Sequence, residues 1–466
     1  MQIPILNGIY TDNGPDIRTS YPVNLVPVPK KSGISNGFLR PADGLVANGT
    51  GPGVDRGGIN WNGVCYRVMG TKLVTVASNG AVTVLGDVGG PVNTLVTMDY
   101  SFDRLAIASG GRLYYWNGTL TQVTDPDLGV VLDVVWVDGY FMTTDGTSLV
   151  VTELTDPTQV NPLKYGSSEV DPDPVVALLK LRNEIYALNR NTIEVFDNVG
   201  GEFFPFQRID GAQIQKGVIG TFGCCVFVES IAFLGSGRNE APGIYIGVNA
   251  TAQKISTQEI DQILLGYTEV QLAGVKLEAR NDKAHQHLYV HLPDRTLVFD
   301  AAATAELSQP VWFTLTTSQA GFSQYRARNL VWAYDKWLIG DPQSSAIGYL
   351  VDTRGDHWGQ IVRWEFGTLI VYNESNGAIF NELELVSLTG SVALGVDPMI
   401  STSYSVDGQA WSQDRSIRAG TTGSRKRLAW FQQGHMRNWR IQRFRGDSQA
   451  HLSFIRLEAQ IEPLAY

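Results

Sequence analysis

The feature that most constrains the fold is a repeat of short predicted strands that runs from residue 57 to residue 352. In its first unit, the predicted short strands Val64–Met69 and Lys72–Val76 are separated by a Gly-Thr turn. With this unit included, about seven such units recur at roughly 40-residue spacing, which is the spacing of propeller blades. Stacking blades around an axis buries the two faces that a single blade exposes. The repeat therefore predicts a β-propeller of about seven blades, with a two-sheet sandwich of hairpins as the alternative.

The sequence changes character on either side of the repeat. Residues 1–56 contain frequent prolines, which exclude helix and indicate an extended N-terminal segment. In residues 353–466 the alternation of apolar and polar residues continues, but the blade spacing is lost. We therefore predict an all-β chain with an extended segment at 1–56, a β-propeller at 57–352 and a β-sandwich at 353–466.

The composition agrees with many strands joined by tight turns. Only 18% of the residues are charged and 49 are glycine. Surface helices are instead rich in Glu, Lys, Ala and Leu, so this composition does not favour helices. One helix is predicted, over Thr257–Leu265, with Ser256 or Thr257 as its N-cap.

Charge and cysteine content narrow the class of protein. The net charge of −10 argues against a protein that coats nucleic acid, although an acidic wall could let DNA slide past it. Cys65 and the vicinal pair Cys224 and Cys225 do not form a disulfide framework, so we predict buried, reduced thiols and folding in a reducing cytoplasm. Neither a signal peptide nor a membrane span is predicted.

Three histidines alternate along one predicted strand, so His285, His287 and His291 are expected on one face. The first two could share a metal ion, but His291 lies two pleats further on, about 13 Å away. We therefore interpret them as polar positions on a solvent-facing or subunit-facing strand and predict no metal site.

No motif in the sequence indicates catalysis. Ser405–Trp411 resembles the structural Asp-box turn of sialidase-like propellers, but it is one residue short between Asp407 and Gly408. Nucleophile-elbow, phosphate-loop and zinc-protease motifs are absent. We predict no catalytic residue, no cofactor and no enzymatic activity, with a carbohydrate-binding or glycoside-acting propeller as the alternative function.

The most unusual electrostatic feature is the stretch from Arg415 to Arg445, which contains basic residues but no Asp or Glu. We predict a partner interface for an acidic protein, an acidic neighbouring subunit or DNA phosphates, because arginine is favoured at interfaces. The alternative is a basic sandwich edge whose Arg stems lie over apolar surface. The predicted interface residues are Arg415, Arg418, Arg425, Lys426, Arg427, Arg437, Arg440, Arg443 and Arg445.

Several segments, in order along nearly the whole chain, form a shared pattern. They are Tyr21–Leu25, Gly37–Arg40, Arg56–Gly58, Val64–Gly70, Asn191–Phe196, Phe204–Ile209, Gly237–Pro242, Ile255–Asp261, Ser405–Gly408, Trp411–Arg415 and Arg427–Arg437. This ordered set resembles the packaged-DNA-stabilisation proteins of short-tailed bacteriophages, also called tail accessory or tail-hub proteins.

The resemblance implies a structural virion protein of the phage tail, made in the cytoplasm of the bacterial host. It implies a ring of identical subunits, expected to be a hexamer, below the portal and its adaptor (head-to-tail connector) protein. The ring would continue the DNA channel without sequence-specific contact, help retain the packaged DNA, and anchor tailspikes or tail fibres and a needle or plug. A cytosolic propeller scaffold is a further alternative.

Overall fold

The computed structural model describes residues 1–11, 19–248, 250–373 and 376–464. Its short antiparallel strands confirm an all-β chain with a propeller and a sandwich. Strands are numbered in chain order. The first four are β1 (Gln2–Ile3), β2 (Leu25–Pro29), β3 (Gly37–Pro41) and β4 (Gly44–Thr50).

The first four blades are four-stranded antiparallel sheets whose strands follow one another in sequence. Blade 1 has β5 (Asp55–Trp61), β6 (Val64–Met69), β7 (Lys72–Val76) and β8 (Val82–Asp87). Blade 2 has β9 (Thr97–Tyr100), β10 (Leu105–Ser109), β11 (Arg112–Trp116) and β12 (Leu120–Gln122). Blade 3 has β13 (Asp133–Val137), β14 (Tyr140–Thr144), β15 (Ser148–Thr152) and β16 (Val160–Ser167). Blade 4 has β17 (Val175–Leu181), β18 (Glu184–Asn189), β19 (Ile193–Asn198) and β20 (Phe206–Arg208).

Three further blades complete the propeller. Blade 5 has β21 (Gly217–Val218), β22 (Cys224–Phe227), β23 (Ser230–Ser236), β24 (Gly243–Val248) and β25 (Thr251–Lys254). Blade 6 has β26 (Lys276–Asp282), β27 (His285–His291), β28 (Thr296–Asp300) and β29 (Trp312–Leu315). Blade 7 has β30 (Arg328–Ala333), β31 (Lys336–Gly340) and β32 (Ala346–Val351), and its fourth strand is β4.

The propeller is closed by a strand from the N-terminal part of the chain. The innermost strands β5, β9, β13, β17, β22, β26 and β30 contact one another in a closed circle. At the junction of the last blade and the first, β4 pairs with β32 from Gly44–Val351 to Thr50–Ala346. At Gly49 this strand passes so close to blade 1 that an added Cβ would lie 2.2 Å from the Gly80 carbonyl oxygen. Only glycine fits at that position.

The sandwich combines both ends of the chain. Its C-terminal strands are β33 (Arg363–Gly367), β34 (Val371–Tyr372), β35 (Ala378–Ser387), β36 (Met399–Ser405), β37 (Arg415–Arg418), β38 (Ala429–Phe431), β39 (His435–Met436), β40 (Trp439–Asp447) and β41 (Phe454–Pro463). One sheet has the order β2-β3-β41-β35-β38, with β1 beside β41 and β39 beside β35. The other has the order β33-β40-β36-β37, with β34 beside β40. Leu25, Phe366, Phe380, Phe444 and Phe454 belong to one buried cluster in this domain.

The predicted division at 1–56, 57–352 and 353–466 stays a prediction, and strand pairing crosses both of its boundaries. The N-terminal residues supply β1, β2 and β3 to the sandwich and β4 to blade 7. Residues 12–18, 249, 374–375 and 465–466 of the predicted segments lie outside the described residues.

Helices are few and short. The predicted helix is confirmed as α1 (Gln258–Leu264), with Thr257 at its N-cap. Two helices that were not predicted are α2 (Glu269–Ala273) and α3 (Ala301–Leu307), and a 3-10 turn spans Pro126–Leu128. In the described part of the chain, no helix has the length and apolar character required to cross a bilayer.

His357, which is buried just after blade 7, should make the fold sensitive to acid. Its Nδ1 lies 2.9 Å from Thr317 Oγ1, and its ring packs edge-on against Tyr325. Burial lowers its pKa to about 3, aided by Arg326 and opposed by Asp356. The folded state keeps the ring neutral, whereas the unfolded chain protonates it near its ordinary value of about 6.5. This contribution to stability is complete above that value and is lost as the pH falls towards 3.

We expect His357→Asn to remove part of this acid sensitivity. Between pH 7 and pH 4.5 the wild type should lose about 2 kcal/mol more unfolding free energy than the variant, measured by urea unfolding at each pH. The other buried histidines are present in both proteins and cancel in the difference. His435→Asn, at an exposed position, is the matched control and should follow the wild type. Parallel pH profiles for the wild type and His357→Asn would contradict the prediction.

Candidate functional site

The predicted interface, Arg415–Arg445, contributes strands to both sheets of the sandwich. Pairing with other strands brings acids beside it that are distant in sequence. Arg427 lies 2.7 Å from Glu382 and also pairs with Glu384, both on β35. Within the described parts of the chain, the stretch also forms the ion pairs Arg418–Asp397 and Arg445–Asp414. The stretch therefore contains no acids in sequence but is partly neutralised in space.

Arg440 is buried, so its inclusion in the predicted partner interface is wrong. Its guanidinium lies between the rings of Phe380 and Tyr404, 4.2 and 3.9 Å from their centroids. It donates hydrogen bonds to the Gln433 carbonyl oxygen at 2.6 Å and to Gln442 Oε1 at 2.8 and 3.0 Å. Burial lowers the pKa of Arg440, because no carboxylate among the described residues pairs with it. Arg440 is a core residue of the sandwich.

Two further arginines are held by contacts within the chain. Arg415 donates to the carbonyl oxygen of Phe431 at 2.9 Å. The Arg443 guanidinium lies over the Trp411 ring, 4.0 Å from its centroid. These contacts are of the kind expected for a basic sandwich edge whose side chains cover apolar surface.

Three basic side chains of the stretch are left for a partner. Arg425, Lys426 and Arg437 are exposed, and none forms an ion pair with another described residue. The loop that carries Arg425 and Lys426 packs on a neighbouring loop, where Thr389 Oγ1 donates to the Lys426 carbonyl oxygen at 2.9 Å. Beside it, Leu388 is 74% exposed. We call Leu388, Arg425 and Lys426 the basic loop surface.

The histidines lie on one face of β27, but all three are buried within the single chain, so the interpretation as a solvent-facing or subunit-facing strand is wrong. His291 is separate from the others and contacts Glu278 at 3.2 Å and Thr296 at 3.0 Å. His285 and His287 meet Asp300 instead, and one ligand atom from each of these three side chains lies within 4.8 Å of the others. Sequence reasoning missed Asp300, because it reaches the histidines through the pairing of β27 with β28.

The segment that resembles an Asp box is a self-contained turn. Asp407 Oδ1 accepts hydrogen bonds from the Gln409 and Ala410 amides and from Ser405 Oγ, at 2.8–3.0 Å. Ser405 Oγ in turn accepts from the Gly408 amide at 2.9 Å. Because these polar atoms are occupied within the turn, its role is structural.

The inner strands enclose a cavity on the propeller axis with a volume of about 390 Å³. Asp133 in its wall accepts hydrogen bonds from the Val134 and Leu178 amides, each at 2.8 Å. Burial raises the pKa of Asp133 to about 7. Burial likewise raises the pKa of Asp99, which lines the same cavity.

The cysteines are free thiols, as predicted. Cys65 and Cys224 are buried, which confirms the prediction for these two. Cys225 is partly exposed, so the prediction that all three are buried is wrong for this residue. Its strand, β22, lies in the inner circle of the propeller, where alternate side chains face different surroundings.

Comparison with known proteins agrees with this architecture. The family model described as the β-propeller of bacteriophage P22 Gp10 matches residues 1–355. The model of the Gp10 β-sandwich matches residues 363–462. The tail hub protein gp10 of Salmonella phage P22 is 28% identical in an alignment 463 positions long, which covers 94% of each chain.

The solved structures that the comparison found are distant. The type-IX secretion component PorZ of Porphyromonas gingivalis is 12% identical with a TM-score of 0.40, over 71% of this chain and 44% of PorZ. The N-terminal domain of Nup159 is 9% identical with a TM-score of 0.41, over 72% of this chain and all of that domain. Scores this low support no inference about function.

The two family matches cover both domains in order, and they coincide with a propeller closed by an N-terminal strand and a sandwich that uses both ends of the chain. The chain therefore belongs to the bacteriophage P22 Gp10 family of phage tail hub proteins, which are structural proteins and not enzymes.

Proposed function

We propose that this tail hub protein forms a ring, expected to be a hexamer, below the portal and its adaptor protein in the virion. The ring continues the DNA channel, helps retain the packaged DNA, and anchors tailspikes or tail fibres and a needle or plug. The match to the P22 tail hub protein along 94% of the chain carries this proposal.

The size of the axial cavity supports a channel between subunits. A volume of about 390 Å³ corresponds to a sphere roughly 9 Å across, which is narrower than the major groove of duplex DNA alone, about 12 Å. A channel for DNA would therefore be built from several copies, as in a ring closed by heterologous contacts. The net charge of −10 is suited to such a wall, because acidic side chains repel phosphates and prevent DNA from sticking.

Light scattering of the purified chain, alone and mixed with assembled portal–adaptor complexes, tests the ring. We expect ring formation on the complex, with a copy number that cryo-electron microscopy of the particle counts directly. A chain that stays monomeric and fails to bind the complex would overturn the proposed assembly.

The predicted partner interface is now proposed for the exposed part of the basic stretch. Arg425 and Lys426 project from a loop beside the exposed side chain of Leu388. Basic charge around an exposed apolar residue fits an acidic protein partner, either the neighbouring subunit or the adaptor. Contact of the same side chains with DNA phosphates is the competing outcome, and it would show a steep dependence on salt.

We expect Arg425→Glu/Lys426→Glu to weaken binding to portal–adaptor complexes at least tenfold, because reversed charges repel an acidic partner. The unfolding free energy should change by less than about 0.5 kcal/mol, since both side chains are exposed. Binding is measured by sedimentation of labelled protein with the complexes.

The matched control is Lys30→Glu/Lys31→Glu, which reverses the charge of another pair of adjacent exposed basic residues and should leave binding unchanged. Equal binding by the Arg425→Glu/Lys426→Glu variant and the wild type would show that the basic loop surface is not part of the interface. That result would not contradict the proposed ring.

A further inference from the structure

Blade 6 contains a cluster of buried side chains with the chemistry of a metal site. His285, His287 and Asp300 each offer one nitrogen or oxygen atom, and these atoms lie within 4.8 Å of one another. We propose that these three residues bind a divalent first-row transition metal ion, with zinc as the best-suited ion because it favours imidazole and carboxylate ligands in small coordination numbers.

Strand geometry brings the three side chains together. His285 and His287 are two residues apart on β27, so their side chains leave the same face of the sheet. Asp300, the last residue of β28, is the direct cross-strand partner of His287 and therefore shares that face. The spacing is set by two hydrogen-bonded strands, which hold ligands more precisely than loops do.

The carboxylate of Asp300 is oriented by the backbone. Its Oδ1 accepts hydrogen bonds from the amides of Ala302, Ala303 and Gln286 at 3.1, 3.2 and 3.3 Å. The bonds from Ala302 and Ala303 cap α3, and the bond from Gln286 ties the same oxygen to β27. Oδ2 is left to face the histidines. Oδ2 lies 2.6 Å from His285 Nδ1 and 3.4 Å from His287 Nε2. Outer contacts of this kind fix the orientation of a ligating carboxylate.

His287 supplies the observation that points to a ligand. Its side chain is buried, and neither ring nitrogen has a hydrogen-bond partner among the described residues. The contact with Asp300 Oδ2 is close but lacks hydrogen-bonding geometry. Orphaned polar atoms at such depth are rare and call for an explanation. A metal ion at this point would give Nε2 its missing partner.

The distances are close to those that a metal requires. Tetrahedral zinc separates its nitrogen and oxygen ligands by about 3.3 Å. That separation exceeds the 2.6 Å between His285 Nδ1 and Asp300 Oδ2 and lies within the 4.8 Å that bounds the distances among the three ligand atoms. Metal binding would replace the hydrogen bond between His285 Nδ1 and Asp300 Oδ2, and the proton of that bond would be released to solvent. The side chain of His285 is 10% exposed, which gives the ion and the proton a route.

The surrounding charges permit a cation. Arg280 is the partner of His287 on the other neighbouring strand, β26. The Arg280 guanidinium forms ion pairs with Asp43 at 2.7 Å and with Asp282. These two carboxylates balance its positive charge. A bound ion would join β27, β28 and the start of α3, and would act as a structural clamp of blade 6.

Binding of zinc to the full chain tests the proposal. After treatment with a chelator and equilibration with zinc sulfate, we expect about one ion per chain by elemental analysis, with a higher melting temperature. Cobalt(II) should give the intense visible absorption of a four-coordinate site, with water as the fourth ligand. His285→Gln and His287→Gln should each weaken binding about 10- to 100-fold.

The control is His291→Gln, which changes the third histidine of the same face and should keep the stoichiometry and the cobalt spectrum. Near-ultraviolet circular dichroism confirms that each variant is folded, and His285→Gln is the milder substitution because its side chain reaches the surface. Absence of bound zinc in the wild type, or equal binding by the folded His285→Gln variant, would overturn the proposal. Neither result bears on the tail-hub function.

Discussion

Arg67→Met should destabilise the propeller by about 3–5 kcal/mol, because it leaves Asp55 as a buried, unpaired charge. Both side chains are almost fully buried, and Arg67 Nη1 lies 2.9 Å from Asp55 Oδ1. Arg67 also donates to the Asn329 carbonyl oxygen at 2.8 Å, and Asn329 Nδ2 donates to Asp55. Asp55 and Arg67 belong to blade 1 and Asn329 to blade 7, so the network fastens the last blade to the first.

Equilibrium urea unfolding followed by tryptophan fluorescence measures this loss. Lys72→Met is the matched control, since it also breaks an ion pair of blade 1, that between Lys72 and Asp87 at 2.7 Å. Those side chains are 40% and 52% exposed, so the control should cost less than about 1 kcal/mol.

The Asp55→Asn/Arg67→Met double variant should recover part of the loss, because it removes the unpaired charge. An Arg67→Met variant as stable as the Lys72→Met control would show that the network contributes little to closure of the ring.

The propeller could be predicted from the sequence because the pairings within most blades are local. Successive strands pair with each other through tight turns, and this repeats at a regular spacing. The closing strand β4 could not be found in this way. Its partner β32 lies at the opposite end of the propeller sequence, and prolines and glycines around β4 indicated an extended segment instead. The same holds for the pairing of β3 with β41, which joins the two ends of the chain.

The candidate sites show the same limit of local reasoning. Glu382 and Glu384 pair with Arg427 across a sheet but lie outside the basic stretch in sequence. A count of the charges within the stretch therefore leaves them out. The histidine pattern correctly placed three side chains on one face, but strand register was needed to add Asp300. At the start of β40 the sequence alternates between apolar and polar residues, and Arg440 occupies one of the polar positions. Nothing in the sequence therefore indicated that its side chain is buried.

Arg440→Ala should cost about 3 kcal/mol of unfolding free energy, because it removes a large side chain from the packed core of the sandwich. The substitution leaves a cavity between Phe380 and Tyr404 and removes the donors that Gln433 and Gln442 accept from. Relief of an uncompensated buried charge offsets part of this cost. Arg440→Met, which keeps much of the volume, should therefore cost less, about 1–2 kcal/mol.

Arg437→Ala separates this structural role from an interface role, because Arg437 is exposed and lies three residues earlier in the same stretch. It should leave urea unfolding within about 0.5 kcal/mol of the wild type. If Arg440 instead acted at a partner surface, its alanine variant would unfold like the wild type and lose only its binding to portal–adaptor complexes. The opposite pattern, with stability lost in the isolated chain, follows from a guanidinium held between two rings inside the sandwich.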